Sequence, residues 1–321
     1  MTNIAHFANN SIMHTAQQAE YISPALAYLA TIAESSRYIV KSRLSICIWH
    51  LGKHKDITSF PWHHLRRHHV QALLQQLALE NLKPTTINSY MSAIKGVMRE
   101  SWALKQVTSE EWTAIKEIKS FKGSRLNTGR SLSKDEIFKL FDQQDSLKGT
   151  RDKAIFSIMV GVGLRRAEVV ALNVEGLDFA NGVMRVLTKG NVEQEKVMPE
   201  FVINAVQDWL KLRGELPGPL FYSVKKSQLD GNRILVEKRM TPQAIYHILT
   251  SSAESIGLQK LSPHDMRRTF ATALLEAGED LLTVRDAMGH SSVVTTQRYD
   301  KRGKEKVKKA AVSVDNWIAK H

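Results

Sequence analysis

The chain has 321 residues, 43% of them hydrophobic and 24% charged, enough for two ordinary domains or one large one of soluble globular character. Its single cysteine, Cys47, excludes an internal disulfide and suits a reducing cytoplasm, and no run approaches the roughly 18 apolar residues of a membrane span. The net charge of +13 is uneven: residues 1–130 hold 16 Lys/Arg against 8 Asp/Glu, residues 131–300 hold 22 of each, and residues 301–321 hold 7 against 2, a bias that favours a polyanion such as nucleic acid.

Residues 1–20 are polar and aperiodic and read as a flexible tail, and their opening, MTNIAHFANNS, lacks the basic and apolar regions of a signal peptide. Residues 23–105 carry helical patterning and no strand, predicting four helices in a domain over 21–118. Residues 36–54 place Ile39, Val40, Leu44, Ile46, Ile48 and Leu51 on one broad apolar face. Phe60-Pro61-Trp62 interrupts, and residues 63–80 resume with Leu65, Val70, Leu73, Leu74 and Leu77. Pro84 opens a helix whose Ile87, Tyr90, Met91, Ile94, Val97 and Met98 keep three-four spacing. Residues 119–130, KSFKGSRLNTGR, are basic and aperiodic, an exposed linker.

A second domain, 131–303, opens on a capping box at Ser133 and Glu136. A helix over 151–160, apolar at Ile155, Ile158 and Met159, breaks at Gly161-Val162-Gly163 and resumes over 164–172. Residues 182–188 are strand-like, Lys189-Gly190-Asn191 is turn chemistry, and residues 195–198 return, so a small antiparallel sheet sits among helices. Further helices are expected over 201–213, after Thr241-Pro242, after Ser262-Pro263, and over 281–288, where Gly289 is the stop. Beyond the basic run 301–309, Val307, Ala311, Val314, Trp317 and Ile318 recur at helical spacing in a terminal segment, 304–321.

The chemistry-bearing residues gather late in the chain. In the helix after Ser262, Met266, Phe270, Ala273 and Leu274 fall in one sector of about 100°, the expected buried face. His264 and Arg267 sit at i, i+3 on another face, with Arg268 on the side of His264, near a helix N-terminus where free N–H groups and cations suit a phosphate. Taken singly, the two read more simply as a capping histidine and a surface ion pair. His290 after Gly289 alone reads as a turn residue. Tyr299, flanked by Arg298, Lys301 and Arg302, is outside a core setting; alone it reads as a solvated tyrosine. A phenol of pKa about 10 becomes a nucleophile only with cations or a base beside it. Upstream, Glu168 follows Arg165 by one turn and can fix its guanidinium, and Lys189 on a hairpin turn can reach into a groove.

Together, GLRRAE, LTKGN, PHDMRRTF, MGH and TTQRY, in that order over about 130–310, closely resemble the tyrosine recombinase (phage integrase) family, which includes Xer-like and Cre-like recombinases. A looser resemblance over 22–105, with LKPTTINSYMSAIK, is to the family's helical core-binding domain. The resemblance implies a mainly α fold: an N-terminal SAM-like helical domain and a C-terminal mixed α/β catalytic domain with a small antiparallel sheet. It implies Tyr299 as nucleophile, Arg165 and Arg267 as phosphate clamp, Lys189 as general acid, His264 and His290 as phosphate and proton-transfer partners, and Glu168 as brace. Arg268 stands where many members carry His. DNA contacts are expected from Arg268, Arg66, Arg67, Lys83, Thr85, Lys95, Lys122 and Arg125.

No cofactor is implied. His50/His54 and His64/His68 have a spacing that zinc accepts, but no cysteine accompanies them and HHLRRHH resembles a DNA-facing surface, so no metal is expected. The implied partners are double-stranded DNA and further copies of the chain, a dimer on one site and a tetramer in the synapse, with the tail coupling subunits. An accessory DNA-binding protein is an optional addition. The twenty residues before the helical domain are too few for the arm-binding domain of lambda-like integrases. A type IB topoisomerase shares this chemistry; a non-catalytic DNA-binding regulator shares the scaffold but leaves the filled catalytic positions without purpose.

Overall fold

The computed structural model describes residues 22–123, 129–142, 146–188, 190–226, 233–289 and 292–297. The chain divides into two compact units, Met1–Asn127 and Thr128–His321. The expected tails at 1–20 and 304–321 lie outside the described residues, as do Arg125, Lys189, His290 and Tyr299.

In the first unit α1 (Pro24–Thr31), α2 (Glu34–Gly52), α3 (Arg67–Leu79) and α5 (Ser109–Lys116) pack around α4 (Pro84–Ala103). The three-four spacing of α4 makes this possible. Ile87, Met91, Ile94, Val97 and Met98 are buried with Leu44 and Ile48 of α2, Leu73, Leu74 and Leu77 of α3, and Ile115 of α5. Gly96 leaves room for the Tyr28 ring of α1 to lie directly on α4. Cys47 is buried in this core, which pushes its thiol pKa up to about 12.

Two expectations need correction here. Ile39 and Ile46 are exposed, at 50% and 37%, because neighbours cover the stripe of Leu44, Cys47 and Ile48 on α2, with Val40 and Leu51 half-buried at its margins. The described residues also add α5 to the four expected helices. Its capping box, Thr108 N donating to Glu111 Oε2 at 2.9 Å and Glu111 N to Thr108 Oγ1 at 3.2 Å, is a signal the sequence contains.

In the second unit α7 (Leu147–Gly161) is the central helix, contacted by α6 (Lys134–Phe141), α8 (Arg166–Ala171), α9 (Glu200–Arg213), α10 (Pro242–Ser255) and α11 (Pro263–Glu276). Ala154, Ile155, Phe156, Ile158 and Met159 are all buried, so α7 is apolar on nearly every side. The sheet runs β1 (Leu177–Asp178), β2 (Val183–Thr188), β3 (Val192–Val197), antiparallel throughout. Met184 and Val186 of β2 face the core while Arg185 and Leu187 face out, as a period of two requires. Strand β3 begins three residues earlier than expected. A second hairpin, β4 (Tyr222–Lys226) with β5 (Arg233–Arg239), was not expected, although Asp230-Gly231 between two runs containing β-branched residues is a hairpin signal. Finally α12 (Leu281–Met288) and α13 (Val293–Gln297) pack against each other. No helix among the described residues is long and apolar enough to cross a membrane.

Candidate active site

The ends of four helices and one strand meet in the second unit. Helix α7 ends at Gly161 and the chain turns at Gly163, whose φ of +70° favours glycine. A side chain at Gly163 would collide with Phe270, so this glycine also lets α11 close against the turn. Arg165 then caps α8. Its backbone N donates to Glu168 Oε2 at 2.7 Å and its Nη1 to Glu168 Oε1 at 2.7 Å. The side chain of Glu168 is 7% exposed and that of Arg165 43%, so a buried carboxylate holds a guanidinium that solvent and ligands can reach.

Helix α11 starts on Ser262, whose backbone N and hydroxyl both donate to Asp265 Oδ2, at 2.9 and 2.7 Å. Arg267 lies one turn on, and here the expectation of an outward arginine is corrected: it is 4% exposed. Its Nη1 donates to Gly163 O and its Nη2 to Met288 O, tying the turn before Arg165 to the last residue of α12. Burying a guanidinium is costly unless acceptors surround it, and these carbonyls are such acceptors. The expected buried face holds at Met266, while Phe270 and Leu274 are half-buried and Ala273 is exposed. Arg268 anchors the segment before α6, donating from Nη1 to Gly129 O. Helix α12 is capped by Asp280, which accepts from Leu282 N at 2.6 Å and Thr283 N at 3.1 Å, and it stops at Gly289 in the left-handed region, as expected.

Electrostatics bring these groups together. His264 keeps an exposed edge, yet partial burial, then the Arg268 guanidinium, push its imidazole pKa below the usual value; Asp265 opposes this, and Arg267 and Arg165 add to it. Lys196 on β3, a residue sequence reasoning missed, belongs to the same cluster. Burial and then Arg267 lower its ammonium pKa, Glu168 opposes, Arg165 adds, and Asp286 opposes. Arg165 and Arg267 thus lie near enough to influence both His264 and Lys196, and the Glu168 carboxylate is already occupied by Arg165. A pair of arginines beside a histidine can attract an anion with several oxygens and stabilise added negative charge on it, while the Lys196 ammonium is spent on backbone carbonyls.

The other expected DNA contacts lie in the first unit. Lys83, Thr85 and Lys122 are exposed, and Asn88 joins the start of α4 to the chain near Lys122 by exchanging hydrogen bonds with Phe121, at 3.0 and 2.8 Å. Arg66 pairs with Glu111 at 2.7 Å, Arg67 Nη1 donates to Ala114 O at 2.8 Å, and Lys95 Nζ donates to Lys116 O at 2.7 Å and Ile118 O at 2.8 Å. These three hold α5 and the segment after it. In the histidine-rich stretch the rings meet in pairs, His63 edge-on to His64 at 4.1 Å and His68 tilted against His69 at 4.0 Å, and no group of three or more metal-ligating side chains occurs among the described residues.

Comparison with known proteins gives a consistent picture. The family described as "Phage integrase family" matches residues 130–306. The protein "Tyrosine recombinase XerC" of Shewanella amazonensis is 30% identical over 295 residues, 88% of this chain and 92% of its own length. That of Proteus mirabilis is 31% identical over 248 residues, 74% of this chain and 75% of its own length. Among solved structures, the Tn1549 transposon integrase in complex with transposon right end DNA has a TM-score of 0.64 at 18% identity, over 91% of this chain and 99% of that one. A lambda integrase dimer bound to a COC' core site has a TM-score of 0.63 at 16% identity, over 87% of this chain and 93% of that one. At these identities the structural likeness is one of fold.

Proposed function

This chain belongs to the phage integrase family and is a site-specific DNA recombinase, and we propose that it works through Tyr299. The Tyr299 oxygen attacks a scissile phosphate, the P–O5′ bond breaks, and a 3′-phosphotyrosyl link and a 5′-hydroxyl result. Lys189 gives the proton to the leaving oxygen, and the phenol proton passes to His264, His290 or water. Arg165 and Arg267 bind the non-bridging oxygens. The phosphotyrosyl bond keeps the phosphodiester energy, so the hydroxyl of a second strand rejoins the DNA without ATP.

One observation carries this reading: Arg267 is rooted on the carbonyl two residues before Arg165, and Arg165 is braced by Glu168, so one hydrogen-bonded frame fixes both arginines. Phosphoryl transfer needs fixed charge more than covalent assistance, and that is what the cluster supplies. The deciding experiment uses nicked suicide DNA containing the protein's own recombination site. A covalent protein–DNA adduct is expected; its absence would sink the reading. Recombination between two sites, as against relaxation alone, separates a recombinase from a topoisomerase.

The low imidazole pKa of His264 makes a second expectation. A bound phosphate adds negative charge beside it and favours the protonated ring, so its pKa rises on DNA binding. An NMR titration of the ring protons, assigned with His264→Gln, reads the shift in free and DNA-bound protein. A value unchanged or lower with DNA places the phosphate elsewhere.

The assembly proposed is a dimer on each site and a tetramer in the synapse, in the cytoplasm. Lys83, Thr85 and Lys122 near the start of α4 meet the backbone of the DNA with the first unit. The terminal segment 304–321 docks its apolar stripe into a neighbouring protomer. Removing residues 306–321 is expected to leave affinity for a single site within about two-fold and to weaken assembly by about ten-fold or more, the order expected for losing a buried apolar anchor. Gel-shift titration and analytical ultracentrifugation on DNA measure the two; unchanged assembly counts against the docking.

A further inference from the structure

Strand β3 does more than pair with β2. Gln194 and Lys196 point to the same face of the strand, and both lie against the turn that ends α12. A Cβ added to Gly289 would sit 3.4 Å from Gln194 Oε1 and 3.8 Å from Lys196 Nζ. Lys196 Nζ donates to Ala287 O at 3.0 Å and to Asp286 O at 3.3 Å, while Arg267 takes Met288 O. Three successive carbonyls at the negative end of a helix therefore receive two cations. Half-buried beside Arg267 and Arg165, an ammonium is a poor choice for packing alone. Its carbonyl partners give it a reason to be there. At the other end of β3, the pair Thr188↔Val192 brackets the turn that bears Lys189.

We infer that Lys196 is a positioning residue. It clamps the end of α12 onto β3, so that the part of the fold preceding His290 and Tyr299 in the sequence is held to the strand paired with β2, whose last residue, Thr188, precedes Lys189 in the sequence. The inference rests on the recombinase reading for its catalytic consequence, while the clamp itself is a property of the fold. Helix α13, packed on α12, ends at Gln297, two residues before Tyr299, so a slack α12 would loosen the nucleophile's own support.

The test replaces Lys196 in the full chain. Lys196→Met keeps the stem and removes the donors. Amide hydrogen exchange over residues 284–289 is expected to accelerate by about ten-fold, the order of losing a hydrogen bond from a charged donor. Single-turnover adduct formation on suicide DNA is expected to fall by about 10²-fold, as a misplacement near 1 Å produces, with DNA affinity and the global unfolding midpoint little changed. Lys196→Arg keeps paired donors and restores both exchange and rate. Unchanged exchange or unchanged cleavage in the Met variant overturns the inference, as does a rate lost only in proportion to DNA affinity or to the folded fraction. If the wild type makes no adduct, the recombinase reading fails instead, and exchange alone decides whether the clamp exists.

Discussion

Tyr299→Phe makes no covalent adduct with nicked DNA and recombines more slowly by on the order of 10⁴–10⁶-fold, the range for loss of a covalent nucleophile. The substitution removes one oxygen and keeps the ring, so DNA affinity stays within about two-fold. Every other proposed group, the two arginines, Lys189 and the histidines, serves a bond that this oxygen must form. Water is no substitute, because a hydrolysed strand cannot be rejoined without new energy. A denaturing gel of the suicide reaction reads the adduct and a gel shift reads affinity. An adduct formed by the Phe variant would move the nucleophile to another residue.

The second large effect is at Arg267. Lys keeps the charge and loses the planar fork, so it cannot reach Gly163 O, Met288 O and a phosphate oxygen together. Arg267→Lys is expected to slow adduct formation by about 10³-fold, the lower end for a transition-state arginine. Arg267→Gln removes the charge as well, and about 10⁵-fold is expected. Both variants also leave buried carbonyls short of a donor, at about 1–3 kcal/mol for each. Denaturant unfolding separates the two contributions: the stability loss is similar for Lys and Gln, whereas the rate loss is not. Equal rates for the two variants would mean that Arg267 only holds the fold.

Much of this architecture was legible from spacing. Apolar recurrence located α3, α4 and α7, and their named residues are buried except Tyr90, which is half-buried, because helical period is a property of neighbours in sequence. Ile39 and Ile46 were misjudged because a wheel shows where apolar residues lie, not how many sides other helices cover. The burial of Arg267 was not legible either. Its acceptors stand 104 and 21 residues away in the chain, and a sector argument assigns every charged side chain to the outside. Lys196 was missed for the same reason: the carbonyls it binds are 90 and 91 residues distant. Arg165 with Glu168 was readable because the whole brace fits in four residues.

The bond from Arg267 to Gly163 O and Met288 O has a consequence for safety as well as for rate. An enzyme that breaks chromosomal strands is hazardous when partly assembled, during synthesis or after local opening. Here the arginine proposed to bind the phosphate is itself the rivet between the turn after α7 and the end of α12. If either piece comes away, the guanidinium loses its seat and the cluster of charges disperses. On the proposed mechanism, partial unfolding therefore disarms the protein instead of releasing an unregulated nuclease, and proofreading of the fold is built into the same side chain that is proposed to hold the phosphate.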